Sequence, residues 1–352
     1  MEKVERSLLN IVQTEFPLES RPYRKLGELL EIEEAEAFRH MNRLYALGVI
    51  RRLGGVFDSR RLGYFSTLCA AKIPPDKVAQ VAGLLADIPG VTHNYLREHE
   101  YNMWFTLIAP SEEEAERILT RVREEAGTPD IYSLPAVRLF KIRVDLDLNA
   151  DEVAEMPEEP TGPADHGAGW EESPPERESE RERSELSAPG AAEGAGLTEA
   201  DRALIKALQA DLPRALSPFA LVAETMGRSE KEVLTRAGEF LREGIMRRFG
   251  VILRHQKAGF RANAMGVWRV GEDRAAQVGR QMAKFREVSH CYQRPTLPDW
   301  PYNIFTMVHG RTEEECRRVM EKISQVTGLK GYRMLFSTVE LKKSSMQYFS
   351  ED

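Results

Sequence analysis

The sequence predicts an α+β protein built from two similar halves, each with three helices and a short β-hairpin followed by a βαββαβ unit. Two observations carry this prediction. A polar pattern, His-x-Tyr-x-Arg and then Tyr-Asn, occurs at residues 93–102 and again at 290–303. An upstream pattern, Arg-Arg-x-Gly, occurs in the same register at 51–54 and 247–250. A duplication that keeps titratable and cationic residues at fixed offsets indicates a shared ligand or a shared chemistry.

Each half begins with a helical unit. Apolar residues at helical spacing predict a first helix that ends before Pro17, and two further helices over Tyr23–Leu30 and Glu33–Leu47. Residues 49–57 then read as a hairpin, or wing. Three helices and a wing form a winged helix-turn-helix, and the second half repeats the pattern over 200–253.

The remainder of each half alternates between strands and helices. In the first half the predicted order is Phe65–Ile73, helix Asp76–Asp87, Val91–Arg97, Tyr101–Ile108, helix Glu112–Glu125 and Ala136–Val144. This βαββαβ order is the ferredoxin-like arrangement, and the second half follows it over 262–341. Helix starts carry capping signals at Ser229, Ser111 and Thr312, each with acidic residues in the following turn.

An acidic segment separates the two halves. Residues 149–196 contain 14 acidic and 3 basic residues and are rich in Pro, Ser and Gly, so we expect a flexible tether. Without it, the net charge of −7 becomes +4 for the remaining chain, which suits an anionic ligand or DNA. The predicted domains are 1–62 and 197–258 (winged helix-turn-helix), 63–148 and 259–345 (ferredoxin-like), and the 149–196 tether.

Composition excludes several classes of protein. No apolar run reaches the roughly 18–20 residues that cross a bilayer, and the charged start at residues 1–6 does not resemble a secretory signal. Cys69, Cys291 and Cys316 are scattered without CxxC spacing, which argues against disulfides, structural zinc and iron–sulfur clusters. We therefore expect a soluble, cytoplasmic protein without a membrane partner.

The order of winged helix and ferredoxin-like domain resembles the Lrp/AsnC family of transcription regulators. Longer stretches of the sequence point to a more specific resemblance within this architecture. Residues 247–255, 289–295 and 300–303 resemble the B- or L-type subunit of siroheme decarboxylase, and residues 93–105 resemble its partner subunit. The chain is thus similar to a fusion of the two subunit types.

This resemblance implies a carbon–carbon lyase that removes carbon dioxide from two acetate side chains of siroheme. The product, didecarboxysiroheme, would serve heme or dioxoisobacteriochlorin-heme biosynthesis. The resemblance implies no added cofactor, because the substrate carries the iron. It also implies that the halves pair as a pseudo-dimer with their ferredoxin-like sheets buried against each other. Siroheme would then lie in a cleft between sheet face and wing, mostly in the second half.

Such a reaction sets requirements on the protein. Loss of carbon dioxide leaves a carbanion that the macrocycle delocalises, so the protein must supply cations, a proton donor and a dry pocket. Residues two apart on a strand share a face, which predicts two rows: His290, Tyr292 and Arg294, and His93, Tyr95 and Arg97. We take the histidines and tyrosines as candidate catalytic residues and the arginines as substrate-binding. His290 is alternatively an axial ligand of the siroheme iron.

Further cations lie on and after the wing. The second half offers Arg247, Arg248, Arg254 and His255, whereas the first offers Arg51 and Arg52, with Asp58 and Ser59 in the last two places. Guanidinium groups suit carboxylates, although a DNA-binding wing or a solvated face would also explain them. A complete first-half site is therefore not expected.

Aromatic residues complete the candidate site. The 295–301 insertion carries Trp300 and is either a lid over the ring or an ordinary hairpin loop. Tyr101 and Tyr302 are taken as substrate-binding. His99 and His309 have no counterpart in the other half, so we expect them to be structural or surface residues.

Two rival functions stay open: a DNA-binding regulator that senses heme or another small ligand, and a bifunctional heme-responsive sensor. Residues 31–36 place four glutamates at the start of the third helix. The N-terminal end of a recognition helix normally meets the DNA, so these carboxylates would repel phosphates. Specific DNA binding is not expected.

Overall fold

The computed structural model describes residues 1–142, 196–254 and 262–350. The tether and His255 lie outside these ranges. Within them, each half contains three helices, one strand and then a βαββαβ unit, so the predicted fold class is confirmed.

The two helical units match closely. Pro22 and Pro218 occupy the first position of the second helix in each unit, where the missing N–H costs nothing. Ser229 forms the predicted capping box with Glu232. The helices are α1 Lys3–Val12, α2 Pro22–Leu30, α3 Glu34–Ala46, α6 Glu199–Gln209, α7 Pro218–Thr225 and α8 Glu230–Arg242.

The predicted wing hairpins are wrong. Each run forms a single strand, β1 Ile50–Phe57 and β7 Met246–Leu253, and these two strands pair antiparallel with each other. Gly54 faces Gly250 near the centre of this two-stranded sheet. The sheet therefore joins the two halves.

The glycines of these strands explain the difference. None of them has the positive φ of a hairpin turn. A Cβ at Gly54 would instead clash with the carbonyl oxygen of Ala210, and a Cβ at Gly250 would lie 2.5 Å from that of Val12. Glycine is needed here because each strand passes against the end of the first helix of the other half.

The ferredoxin-like units follow the predicted order. Ser111 and Thr312 cap their helices through hydrogen bonds from the N–H groups of Glu114 and Glu315. The first unit contains β2 Phe65–Ala71, α4 Val78–Asp87, β3 Val91–Arg97, β4 Met103–Ala109, α5 Glu112–Ala126, β5 Ile131–Pro135 and β6 Arg138–Ile142. The second contains β8 Ala262–Trp268, α9 Glu272–Ala283, β9 Val288–Gln293, β10 Ile304–Gly310, α10 Glu313–Thr327 and β11 Tyr332–Lys343.

The two units form one nine-stranded sheet in the order β5-β2-β4-β3-β11-β8-β10-β9-β6. The last strand of each unit crosses over. In β11, residues 332–336 pair with β8 and residues 337–343 pair with β3 of the other half. In the first half two short strands replace the single predicted strand 136–144: β5, which was not predicted, pairs with β2, and β6, which lies within 136–144, pairs with β9.

Apolar side chains from both halves share two cores. Leu8 and Leu44 belong to the same cluster as Leu204 and Phe240, which unites the helical units. Burying each such side chain contributes about 1.5–3 kcal/mol. A second cluster lies between the two halves of the nine-stranded sheet, which face each other, and contains Ala70, Tyr101, Trp104, Leu134, Met265, Val267, Trp300, Phe305 and Leu335. The predicted burial of sheet against sheet is thus observed.

Candidate active site

A cavity of about 290 Å³ lies between the two-stranded sheet and strands β3 and β9. Both halves contribute nearly equal parts of its lining, whereas the sequence predicted a site mostly in the second half. Its polar wall includes Arg51, Arg52, His93, Arg248, His290 and Lys343.

The predicted rows are confirmed in geometry. The His290 row comprises His290, Tyr292 and Arg294, and the His93 row comprises His93, Tyr95 and Arg97. The ring centroids of histidine and tyrosine are 6.3 Å apart in the His290 row and 6.4 Å apart in the His93 row, with interplanar angles of 19° and 27°. The guanidinium groups lie 4.5 Å and 5.7 Å from the tyrosine ring centroids.

The arginines of these rows point away from the cavity. Arg97 donates to the carbonyl oxygen of Leu335 on β11, and Arg294 donates to that of Leu134 on β5, so each arginine binds a strand of the other half. Burial lowers the pKa of both guanidinium groups to about 10. Among the described residues that line the cavity neither arginine appears, so the structure gives them a role in joining the halves.

Both histidines line the cavity and hydrogen bond to the preceding residue. The Nδ1 of His93 lies 3.0 Å from the Thr92 hydroxyl, and that of His290 lies 2.9 Å from the Ser289 hydroxyl. Ser289 donates its proton to the carbonyl oxygen of Met307, at 3.3 Å. Its hydroxyl must therefore accept from Nδ1–H of His290, which leaves the Nε2 lone pair of this histidine for a ligand.

Both imidazoles are neutral near pH 7. Burial, and then the charges of Lys343 and Arg51, lower the pKa of His93 to about 4. Burial, and then the fields of His309 and His93, lower the pKa of His290 to about 3. A neutral imidazole is a metal ligand and a proton acceptor, and it becomes a strong proton donor only after its pKa has been raised.

His309 lies close to His290, although it is not among the described residues that line the cavity, and the sequence did not indicate this position. It lies on β10 two residues beyond Met307, which pairs with His290, so it shares the face of the His290 row. Burial lowers its pKa to about 4. His309 on β10 is equivalent to Ile108 on β4, because each pairs with the second residue of the first strand of its unit, Asn263 and Ser66. Ile108 lines the cavity. Strand periodicity could have identified it, but the lack of a repeated partner argued against it.

Two of the wing arginines line the cavity and also bind backbone. Arg52 donates to the carbonyl oxygen of Gln209, and Arg248 donates to that of Gln13 at 2.5 Å. Burial, and then the charge of Arg51, lower the pKa of Arg52 to about 10. These arginines hold each strand of the two-stranded sheet against the first helix of the other half.

The other two wing arginines differ from each other. Arg247 forms an ion pair with Asp58 at 2.6 Å. Arg51 lines the cavity, and the structure gives it no ion pair or hydrogen bond of its side chain among the described residues. Arg254 is exposed, and its N–H donates to the carbonyl oxygen of Val49 at 2.9 Å, which places it beside the first-half strand. The cationic set is therefore shared between the halves and not confined to the second.

The tyrosines also differ. The Tyr95 hydroxyl donates to Glu340 at 3.3 Å, whereas the Tyr292 hydroxyl has no hydrogen-bond partner within the described ranges. Burial raises the pKa of both phenols above the ordinary value, so both keep their protons.

Of the two alternatives for the 295–301 insertion, a lid or an ordinary hairpin loop, the structure favours the loop. Trp300 is 1% exposed and packs against Tyr101, Tyr302 and Trp104 in the core between the sheets. The 295–301 insertion turns tightly through paired hydrogen bonds between Leu297 and Trp300, both 3.0 Å, so it is the ordinary hairpin loop. Tyr101 donates to Asp299 at 2.7 Å and belongs to the same core.

The repeated Tyr-Asn pattern has a structural cause. Asn102 binds both backbone groups of Ile73, and Asn303 binds both backbone groups of Val270, at 2.8–3.0 Å. Each asparagine fixes the chain that leaves the first strand of its unit. This part of the repeat therefore reports on the fold and not on the ligand.

The C-terminal segment, residues 344–350, is a second feature that the sequence did not indicate. Ser344, Ser345, Met346 and Tyr348 line the cavity. Reciprocal hydrogen bonds of 2.9 Å join Tyr348 to the Gln209 side chain. Residues 346–350 lie beyond the predicted end of the last domain at residue 345, and no periodicity marks the segment.

Neither a metal-ion site nor a membrane-spanning helix is found within residues 1–142, 196–254 and 262–350. No group of three or more potential ligands there could hold a metal ion. No helix in the same ranges is long and apolar enough to cross a membrane.

Comparison with known proteins identifies the family. A model for an AsnC-like ligand binding domain matches residues 61–141 and 257–342, and one for the siroheme decarboxylase NirDL-like HTH domain matches 5–51 and 201–247. The siroheme decarboxylase of Hydrogenobacter thermophilus is 37% identical over 98% of this chain and 95% of its own. The alpha and beta subunits of Desulfovibrio desulfuricans siroheme decarboxylase are 51% and 44% identical, each over 43% of this chain, and cover 87% and 95% of the subunits.

Solved structures agree with the sequence matches. The crystal structure of the siroheme decarboxylase NirDL has a TM-score of 0.69 and 32% identity, over 99% of this chain and 95% of that chain. A NirDL complex with an iron-uroporphyrin III analogue has a TM-score of 0.68 and 31% identity over the same shares. The chain belongs to the siroheme decarboxylase family and unites its two subunit types in one polypeptide.

Proposed function

We propose that this chain is a carbon–carbon lyase that removes carbon dioxide from two acetate side chains of siroheme. The observation that carries the proposal is that one cavity receives a neutral histidine from each half, beside the cations Arg51 and Lys343. This combination suits an iron-containing ring with many carboxylates. The relatives that cover the whole chain support the same activity.

The cavity can serve the binding step through its histidines. With Nδ1 of His290 bound to Ser289, Nε2 is free to approach the iron of the substrate. The cavity volume of about 290 Å³ is at the lower end of ligand pockets. A tetrapyrrole must therefore widen the cavity or extend past it.

Protonation of the product requires a donor near the new methylene carbanion. Tyr292 is not among the described residues that line the cavity, but its ring centroid lies 6.3 Å from that of His290, which does. It is protonated, half-buried and without a hydrogen-bond partner for its hydroxyl in the described residues, so it can donate to a substrate that extends past the cavity. A histidine becomes a second donor when the carboxylates of the substrate raise its pKa. No added cofactor is needed in this scheme, because the macrocycle delocalises the negative charge.

The rival function as a DNA-binding regulator has less support. Strands β1 and β7 pair with each other and form one wall of the cavity, so they are not projecting wings. At the start of α3, Glu34 binds Arg21, and the nearby carboxylates of Glu31 and Glu33 would meet the DNA phosphates. We expect only weak, salt-dependent association with DNA.

Anaerobic incubation of the purified chain with siroheme, followed by mass spectrometry of the tetrapyrrole, tests the proposal. The expected product has lost two molecules of carbon dioxide. Siroheme that binds but is recovered with unchanged mass would contradict it.

A further inference from the structure

The two-stranded sheet relates the halves by an approximate two-fold axis near Gly54 and Gly250. Matching hydrogen bonds extend this symmetry to the strand ends. The N–H of Asp58 donates to the carbonyl oxygen of Ile245 at 2.9 Å, and the N–H of Arg254 donates to that of Val49 at 2.9 Å. Arg247 and Arg51 are therefore equivalent positions, and so are Asp58 and Arg254.

Charge does not follow this symmetry. At the end of the two-stranded sheet where β1 finishes, Asp58 neutralises Arg247. Burial alone would raise the pKa of Asp58, but Arg247 and Arg60 hold it below its ordinary value, so the carboxylate stays ionised. At the other end the place of Asp58 is taken by the second cation, Arg254, and Arg51 keeps no counter-ion among the described residues.

The crossing strands increase the difference. Next to the His93 row, β11 places Glu340 opposite Tyr95 and Lys343 opposite His93. Next to the His290 row, β6 places Leu139 and Ile142 in the corresponding positions. Lys343 also lines the cavity, and its ammonium group lies 3.8 Å from Glu340. The His93 end is cationic and polar, while the His290 end is bounded by apolar side chains and a closed ion pair.

We propose that Arg51 and Lys343 hold carboxylates that the substrate keeps, and that the carboxylates lost as carbon dioxide lie at the His290 end. This inference rests on the proposed function and adds an orientation to it. Asp58 is then a positioning residue, which acts by keeping Arg247 neutralised.

The physical reason is the charge change during decarboxylation. The departing carboxylate transfers its negative charge into the ring, so an unpaired cation beside it stabilises the reactant more than the transition state. Such a cation slows the step, and its effect is large in a water-poor cavity. The same cation beside a retained carboxylate binds reactant and transition state equally and so anchors the substrate.

Binding of ligands that do not turn over tests the anchor. The probes are iron-uroporphyrin III, with acetate and propionate side chains, and iron-coproporphyrin III, with methyl groups in place of the acetates. Arg51→Gln should weaken the binding of iron-uroporphyrin III by about tenfold to a hundredfold, the usual value of a charge-assisted contact. A similar loss with iron-coproporphyrin III assigns the held group to a propionate, and a loss with iron-uroporphyrin III alone assigns it to an acetate that the substrate keeps. The double variant Asp58→Asn/Arg247→Gln should weaken the binding of the probes less than Arg51→Gln does. The matched control is Arg121→Gln, which removes an arginine from the exposed face of α5.

Kinetics with siroheme tests the orientation. Arg51→Gln should raise KM with little change in kcat. Asp58→Asn keeps the oxygen that accepts from the N–H of Arg60 but frees Arg247, so it should lower kcat without raising KM, and Asp58→Glu should restore kcat. Arg51→Gln that leaves the binding of both probes unchanged, or that lowers kcat at unchanged KM, would overturn the inference. A wild-type chain that leaves siroheme unchanged would instead overturn the proposed function.

Discussion

The His93 row and the His290 row have nearly the same geometry, with histidine–tyrosine ring separations of 6.4 Å and 6.3 Å, but different neighbours. Tyr95 is bound to Glu340, while the Tyr292 hydroxyl is without a partner in the described part of the chain. Of the equivalent wing arginines, Arg51 has no side-chain partner in the described part of the chain, whereas Arg247 is neutralised by Asp58. The comparison teaches that duplication preserved the histidine pair around one cavity, while changes in adjacent residues gave its two ends different tasks.

Alanine variants of the histidines give the largest expected effect. His290→Ala should lower the decarboxylation rate by about 10²–10⁴, the usual value of positioned proton transfer, while His93→Ala should cost less. The visible spectrum of bound siroheme distinguishes the role, because loss of an iron ligand shifts the absorption bands. Equal decarboxylation rates in the two variants would show that the His93 and His290 ends of the cavity do not have different tasks.

Phenylalanine variants of the tyrosines sharpen the same comparison. Tyr292→Phe should lower kcat by about 10² if its hydroxyl donates the proton. Tyr95→Phe should lower kcat by less than tenfold, because the Tyr95 hydroxyl already donates a hydrogen bond to Glu340. Single-turnover rates at saturating siroheme measure both, and a larger loss in Tyr95→Phe would reverse the assignment.

The pH dependence of stability gives a smaller effect. His93, His290 and His309 have folded-state pKa values of about 4, 3 and 4, below the ordinary value of 6.5. The unfolded chain binds more protons below pH 6.5, so stability is complete above that pH and falls as the pH drops toward 4. Each histidine contributes roughly 1 kcal/mol per pH unit.

Thermal unfolding between pH 7.5 and 5 checks this dependence. His290→Gln and His93→Gln should each make the decline in Tm shallower than in the wild type. An unchanged slope in both variants would show that these imidazoles are not held neutral by the fold.

Much of this architecture follows from periodicity in the sequence. The alternation along 290–294 was sufficient to place His290, Tyr292 and Arg294 on one face, and the repeated register indicated a second row. The cross-half pairing could not be predicted, because a strand with glycines reads locally as a hairpin. The need for glycine at Gly54 appears only when α6 lies against it.

Repetition alone was a weaker guide to function than position. Asn102 and Asn303 recur because each fixes a backbone, and Arg97 and Arg294 recur because each joins the halves. His309 has no repeated partner and yet lies beside His290. The pairing register of the strands is needed to distinguish residues that stabilise the fold from residues that lie at or near the cavity.

The central claim is that His93 and His290, one from each half, serve one shared cavity. Optical titration of the full chain with iron-uroporphyrin III measures this most directly, with the concentration of binding sites taken from the equivalence point. We predict one tetrapyrrole per chain, and weaker binding after either His93→Ala or His290→Ala. Two tetrapyrroles per chain, one lost with each histidine, would contradict the claim and indicate two independent sites.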